Sequence, residues 1–453
     1  MHSVWQQLSL SNWSGSSWRS SSYLSRLLVG SLAAWRQGSW FIEWSEPLGA
    51  LLCSLVFILA PFVSNSLTGV LLIACGIYWF LLTVADKDKV GFTPIHLLVL
   101  LYWQIALLST ALSPVKKAAF SGFTKFTLYL LLFALMARVL RSPRLRSILI
   151  GVYLHISLIV STYGIRQWFA GVKDLATWTD PTSASAGVTR VYSYLGNPNL
   201  LAGYLLAAVA FSIVAVFAWR RLLPKLLAVT AIVVNSLCLI LTFSRGGWIG
   251  FVVASFALLL FLVYWWTPKL PQAWRPWAMP VVLGGSAALL ILAILLVEPV
   301  QVRVASIFAG GKDSSNNFRI QVWQSMPKMI ADRPILGIGP GNKAFKIMAT
   351  PYLPVRFDSA LGAYSVLLET AVEIGIVGLL AFLWLIVVTV NQGFTQLKKL
   401  RNLASPEGYW LMAAIATILG MMAHGVVDTV WYRPEVNTIW WFAVAIVASY
   451  YES

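Results

Sequence analysis

Two pairs of ionisable residues stand four apart in otherwise apolar stretches: Glu369 with Glu373, and His424 with Asp428. That spacing puts each pair on one face of a helix. The Asp428 carboxylate can orient the His424 imidazole, as in an acid–base site, or the pair can simply close a helix end. For Glu369 and Glu373 the choices are proton coupling, or pairing with an arginine or backbone group near an interface. Arg245 lies in Thr242-Phe243-Ser244-Arg245-Gly246-Gly247-Trp248. The two glycines let backbone N–H groups approach a ligand, and the guanidinium offers a fork for an oxyanion. The alternative is a tight turn with a snorkelling arginine. Arg319, four residues before Trp323, is either a second outer guanidinium bracketing an anion with Arg245 or an ordinary surface charge. Lys125, His155 and Arg166 also fall in apolar runs, where an ionisable side chain is expensive and suggests function. His96 and His155 read otherwise as lone histidines with satisfied contacts.

No His, Cys and carboxylate group has metal-ligand spacing, and no phosphate-binding glycine loop appears. No metal or other cofactor is expected, and ATP-driven transport within this chain is not. Cys53, Cys75 and Cys238 lie inside apolar runs, so no disulfide framework is expected.

The elements that must position these residues are membrane helices. Of 453 residues, 59% are hydrophobic and 11% charged, against about 25% charged in a soluble domain. Runs of about 20 apolar residues occur at 46–63, 66–85, 94–112, 118–140, 146–169, 199–218, 222–243, 247–266, 279–297, 363–391, 408–427 and 437–451. The expected fold is therefore all-α, a polytopic bundle of about twelve spans. The net charge of +17 comes from basic loops rather than a basic face, which argues against nucleic acid. With the N-terminus in the cytoplasm, the cytoplasmic segments carry 17 Lys and Arg against 6 in the short outer loops. This bias predicts a plasma (inner) membrane protein with both termini cytoplasmic.

The chain divides into an interfacial N-terminal segment at 1–45, nine spans over 46–297, a large extracytoplasmic loop at 298–362 and three spans over 363–453. The first segment mixes serines and arginines with Trp5, Trp13, Trp18, Trp35, Trp40 and Trp44, and has no signal-peptide core. In the long loop, Phe318, Val322, Met326 and Met329 share one helical face, with Asn316 or Asn317 able to cap its start. A small helical cap over the outer face is expected. Gly337-Ile338-Gly339-Pro340-Gly341-Asn342 is a turn, and Gly196-Asn197-Pro198-Asn199 leads into the next span.

Ser193-Tyr194-Leu195-Gly196-Asn197-Pro198-Asn199, Ser244-Arg245-Gly246-Gly247-Trp248, Arg319 with Trp323, and Arg333-Pro334-Ile335-Leu336-Gly337-Ile338-Gly339-Pro340-Gly341-Asn342 resemble the O-antigen ligase/polymerase superfamily, over 166–430. The resemblance implies about twelve helices, a large loop after the ninth or tenth, and transfer of glycan from an undecaprenyl-diphosphate donor without a metal. It matches Arg245 and Arg319 to the family's phosphate-binding pair, makes Arg190 and Tyr364 further substrate-binding candidates, and marks Gly196, Asn197, Gly339, Gly341 and Asp428 as structural.

Nearly end to end, the chain also resembles the cyanobacterial inorganic-carbon-accumulation membrane proteins, called bicarbonate transporters. Thr93-Pro94-Ile95-His96, Asp313-Ser314-Ser315-Asn316-Asn317-Phe318-Arg319 and Asp428-Thr429-Val430 carry that likeness. In one respect the chain departs from the ligases. Their histidine before the tenth span is here Tyr364, and a tyrosine is a poor base at neutral pH. His424 or Glu369 would have to replace it.

Three functions stay open: accumulation of bicarbonate or another anion, lipid-linked glycan transfer, and a subunit accessory to a transport system with unknown partners. Membrane lipids are partners in each.

Overall fold

The computed structural model describes residues 2–10, 44–85, 92–172, 189–296, 314–354 and 360–450, with a few positions between 298 and 305. The serine- and tryptophan-rich stretch 11–43 and the loops holding Lys87, Lys89 and Lys173 lie outside the described residues. Helices account for nearly all of the rest, and no strand occurs among the described residues. A short N-terminal helix, α1 (His2–Leu8), precedes α2 (Ser45–Leu59), α3 (Asn65–Ala85), α4 (Pro94–Ala111), α5 (Lys116–Val139) and α6 (Pro143–Ala170). Then come α7 (Pro198–Ala218), α8 (Leu222–Leu241), α9 (Arg245–Trp266) and α10 (Arg275–Leu296). The loop region supplies α11 (Ser314–Asp332) and α12 (Asn342–Ala349). Last are α13 (Val366–Asn402), α14 (Gly408–Val427) and α15 (Pro434–Ser449).

Each of the twelve apolar runs is a helix, and ten are long and apolar enough to cross a membrane. The other two, α2 and α15, have 15 and 16 residues. The chain is a multi-pass helical membrane protein. Its centre is α7, α14 and α15: the apolar windows of α7 and α14 are 83% and 72% buried and every residue of α15 but Asn437 is buried, whereas none of α10's window is. Small residues explain the difference. Ala202, Gly203, Ala207, Ala208 and Ala210 on α7 let neighbours approach closely where no hydrophobic drive separates helix from lipid. α9 and α14 cross closely: a Cβ at Gly250 would lie 2.6 Å from the Gly420 carbonyl oxygen. Buried polar groups join helices where they occur. Asn235 on α8 accepts from Ser161 (2.7 Å) and donates to Ser157 (3.0 Å), both on α6.

The expected helical cap is present. α11 starts at Ser314, slightly before the anticipated Asn316 or Asn317, and buries Val322, Met326 and Met329 in a second small core with Ile338, Phe345 and Val372. Phe318 packs at its edge. The run expected at 363–391 is longer and is broken. α13 extends to Asn402, taking Lys398, Lys399 and Arg401 into the helix, and is interrupted at Gly375 (φ 77°, ψ 179°). The turn after α11 fills the break. Ile338 and Gly339 donate their backbone N–H groups to the carbonyls of Val372 (3.0 Å) and Glu373 (2.8 Å), and Ile376 donates to the Pro334 carbonyl (2.8 Å). Ser109 on α4 donates to the Leu336 and Glu373 carbonyls, and Ser113, just past its end, to the Ile338 carbonyl. Backbone freed inside a membrane helix must find such partners, so the cap is locked to the bundle by main-chain bonds.

Candidate functional site

Beneath the cap, α14 ends in His424 and Asp428. Asp428 leaves the helix with extended backbone (φ −154°, ψ 155°), which turns its side chain off the helical face. Its Oδ2 accepts from Arg319 Nη2 at 2.9 Å and from Asn199 Nδ2 at 2.6 Å, and its Oδ1 accepts from the Thr429 N–H at 2.8 Å. Asn199 in turn accepts from Arg190 Nη2 at 2.9 Å, while Arg190 Nε donates to the Thr242 carbonyl at 3.0 Å. This chain of charge-assisted bonds ties the cap helix, the start of α7, the end of α8 and the end of α14 to one another. The turn before α7 sets it up. Gly196 takes a left-handed conformation (φ 69°), and Asn197 caps the helix by accepting from the Asn199 N–H at 2.8 Å. Asn199 thereby reaches Asp428.

The expected orientation of His424 by Asp428 is corrected by this geometry. The carboxylate is taken up by Arg319, Asn199 and Thr429, and neither ring nitrogen of His424 has a hydrogen-bond partner among the described residues. His424 is fully buried in a pocket made by three glycines: Cβ atoms built at Gly203, Gly246 and Gly250 would lie 3.6, 2.6 and 3.2 Å from it. Arg245 precedes Gly246 as the first residue of α9, where Ser244 caps the helix by accepting from the Gly247 N–H at 3.1 Å. Arg245 is 9% exposed, so it is buried rather than held in a wet outer turn. The two arginines approach the same helix end by different routes. Arg245 is carried by the Gly246 contact with His424 and Val427, and Arg319 by its bond to Asp428.

The segment before α13 closes the other side. Tyr364 adopts a positive φ of 50°, uncommon for a bulky residue and costing on the order of 1–3 kcal/mol. Trp323 Nε1 donates to its carbonyl at 3.3 Å, and Phe318 meets its ring edge-on with centroids 5.4 Å apart. Burial raises the Tyr364 hydroxyl above the ordinary tyrosine value, Asp428 and Glu369 adding to the effect while Leu361 and Arg319 oppose it. The hydroxyl at the position matched to the ligase histidine is therefore even less often deprotonated, and so less available as a base at neutral pH, than a free tyrosine. Glu369, one turn into α13, accepts the Ala363 N–H at 3.3 Å, and Gly362 stands so close that a Cβ there would lie 2.6 Å from Glu369 Oε2.

Glu369 also lines a cavity of about 190 Å³ between α4, α5, α13, α15 and the turn at Gly341. Gly339 (φ 99°) and Gly341 (φ 103°) shape that turn, and Gly341 meets Gly122 on α5. The cavity walls include Trp431 and Trp440, stacked with centroids 4.0 Å apart, and Trp441. Lys125 and Glu373 line it too. Arg190, Arg245, Arg319, Tyr364 and His424 do not. No group of three or more metal-ligating side chains was found among the described residues.

Residues 230–383 match the O-antigen ligase family. This ligase-like stretch contains Arg245, Arg319, Tyr364, Glu369 and Glu373, and it supports glycan transfer over the bicarbonate reading. No curated protein matches the chain. Of the residues singled out from sequence, the structure brings Arg190, Arg319 and Asp428 into one bonded network, with Tyr364 and Glu369 beside it. Gly246, next in the chain to Arg245, packs against His424 beside it. Sequence reasoning missed Asn199 as the link in the network, although its place two residues after a capping asparagine was a usable signal. It also missed Asn437 and Trp431, which no local spacing relates to the ligase-like motifs.

Proposed function

We propose that this protein is a membrane glycan transferase that draws on a polyprenyl-diphosphate donor, with Arg245 and Arg319 holding the diphosphate where cap meets bundle. One observation supports the reading: the ligase-like stretch 230–383 brings Arg319, Tyr364 and Glu369 together around Asp428, and its Gly246, next in the chain to Arg245, packs on His424 one turn earlier in α14. In the reaction an acceptor hydroxyl oxygen bonds to the donor's anomeric carbon. The bond from that carbon to the diphosphate breaks, and the lipid diphosphate leaves with the electron pair. Guanidinium groups suit the departing anion because they are permanently charged and bind phosphate oxygens in pairs. Asp428, Asn199 and Arg190 are positioning residues that preset Arg319. Tyr364 packs against the site without serving as its base. The partners are a lipid-linked glycan and the surrounding lipids. The 17-to-6 charge bias supports an inner-membrane placement with both termini cytoplasmic and the cap outside.

The test is deletion and complementation, with surface glycan resolved by gel electrophoresis. Loss of a glycan species restored by the wild-type gene supports the reading. Unchanged glycan accompanied by reduced bicarbonate uptake replaces it with anion transport.

A further inference from the structure

Transfer to a hydroxyl needs a proton acceptor, and the two groups nearest in type to the ligases' histidine are unsuited. The Tyr364 hydroxyl is raised by burial. His424 is sealed against three glycines, fully buried, and does not line the cavity. Glu369 differs from both. It lines the cavity on one side, and on the other it faces the segment that carries Tyr364, with Asp428 close enough to feel its charge. It is the carboxylate that spans from the arginine network to the cavity.

The cavity has the character of a sugar site. Its lining is rich in aromatic side chains, Trp431, Trp440, Trp441, Phe382 and Tyr129, the residue types that pack against the C–H face of a sugar ring. Four polar atoms on its lining residues have no partner among the described residues: Glu373 Oε1, Thr429 Oγ1, Asn437 Oδ1 and Trp431 Nε1. Two accept, one donates and the threonine hydroxyl can do either, and a hydroxyl is the group that answers all of them. Buried polar atoms left without partners are uncommon, and four of them fall on residues around this one cavity. Its volume of about 190 Å³ leaves room for a group larger than a single water.

Resting on the transferase reading, we infer that this cavity receives the terminal sugar of the acceptor and that Glu369 is the catalytic base. As the acceptor oxygen bonds to the anomeric carbon and the diphosphate departs, the hydroxyl proton passes to the Glu369 carboxylate. Glu373 and Asn437 fix the ring's other hydroxyls, and the tryptophans set its plane.

Glu369→Gln is the decisive variant, because the amide oxygen still accepts the Ala363 N–H while the side chain can no longer take a proton. It is introduced at the native locus beside the wild type and the deletion. Surface glycan is followed over time, and undecaprenyl diphosphate retained by the purified protein is measured by mass spectrometry. Transfer in Glu369→Gln is expected to fall about 100-fold or more, the usual contribution of a general base, with retained donor lipid equal to wild type. Partial recovery is expected in Glu369→Asp. Transfer within threefold of wild type overturns the inference, and so does a loss of transfer matched by a loss of retained donor lipid. A deletion strain with unaltered glycan instead overturns the transferase reading itself, so the two failures are distinct.

Discussion

Arg319 Nη2 lies 2.9 Å from Asp428 Oδ2, and this ion pair pins the cap helix to the end of α14. Asp428 holds Asn199 with the same oxygen, so the bond orders a network rather than a pair. Removing one partner of a buried pair strands the other, at about 3–5 kcal/mol when burial is complete. With side chains 16% and 7% exposed, Asp428→Asn should fall at the low end of that range. Faster deuterium uptake across 314–332 is the expected result, and uptake equal to wild type would show that the cap does not depend on the pair.

The arginines separate by what else they hold. Arg245→Ala and Arg319→Ala are each expected to lower glycan transfer about 100-fold, near 2.7 kcal/mol at 1.36 kcal/mol per tenfold. Arg319→Ala should also lower thermal stability, because it releases Asp428. Lysine at either position should restore only part of the loss if the contact is bidentate. Full activity in Arg245→Lys would reduce that residue to a point charge.

Much of this was legible in the sequence, for identifiable reasons. Twelve apolar helices could be read, ten of them long enough to cross a membrane, because twenty apolar residues in a row have no other stable home. α11 could be read because Val322, Met326 and Met329 recur at helical spacing and are buried together. The break at Gly375 could not. A glycine within an apolar run is compatible with an unbroken helix, and only the distant segment 334–339 supplies the bonds that stabilise the interruption. The His424–Asp428 spacing was visible, but a four-residue relation holds only while the helix continues, and it stops at Val427. The sequence also drew Arg245 and Arg319 toward one shared cavity, whereas the described cavity adjoins Glu369 instead.

Alkaline pH should expose the two tyrosines beside the site. Burial raises the Tyr364 hydroxyl and pushes Tyr432 up to about 12, while both revert to about 10 on unfolding. The unfolded chain therefore loses these protons first. The stability they contribute is complete below about pH 10 and is lost as pH rises through the folded values. Unfolding temperature at a fixed scan rate should drop more steeply above pH 10 in the wild type than in Tyr364→Phe/Tyr432→Phe. Parallel curves would remove the tyrosines from the account. Glycan transfer between pH 6 and 9 should be indifferent to Tyr364→Phe, since the hydroxyl stays protonated throughout that range.

Gly375 is where cap and membrane helix depend on each other most directly. Its φ of 77° suits glycine, and a Cβ there would collide with the Ile335 carbonyl. Alanine cannot be accommodated without moving the backbone of 334–339, whose N–H groups satisfy the Val372 and Glu373 carbonyls. If α13 straightened instead, the cap would lose those bonds and Glu369 would shift relative to Gly362 and Ala363. Gly375→Ala is therefore expected to cost more than about 3 kcal/mol, combining a special backbone conformation with a broken hydrogen-bond set. Gly284 on the lipid-facing α10 is the control, because a Cβ there meets nothing within 4 Å. Gly284→Ala should be neutral or slightly stabilising, as alanine is the better helix residue. Thermal unfolding of both variants in the same detergent compares them directly, and equal stability would mean that the break at Gly375 is not what holds the cap in place.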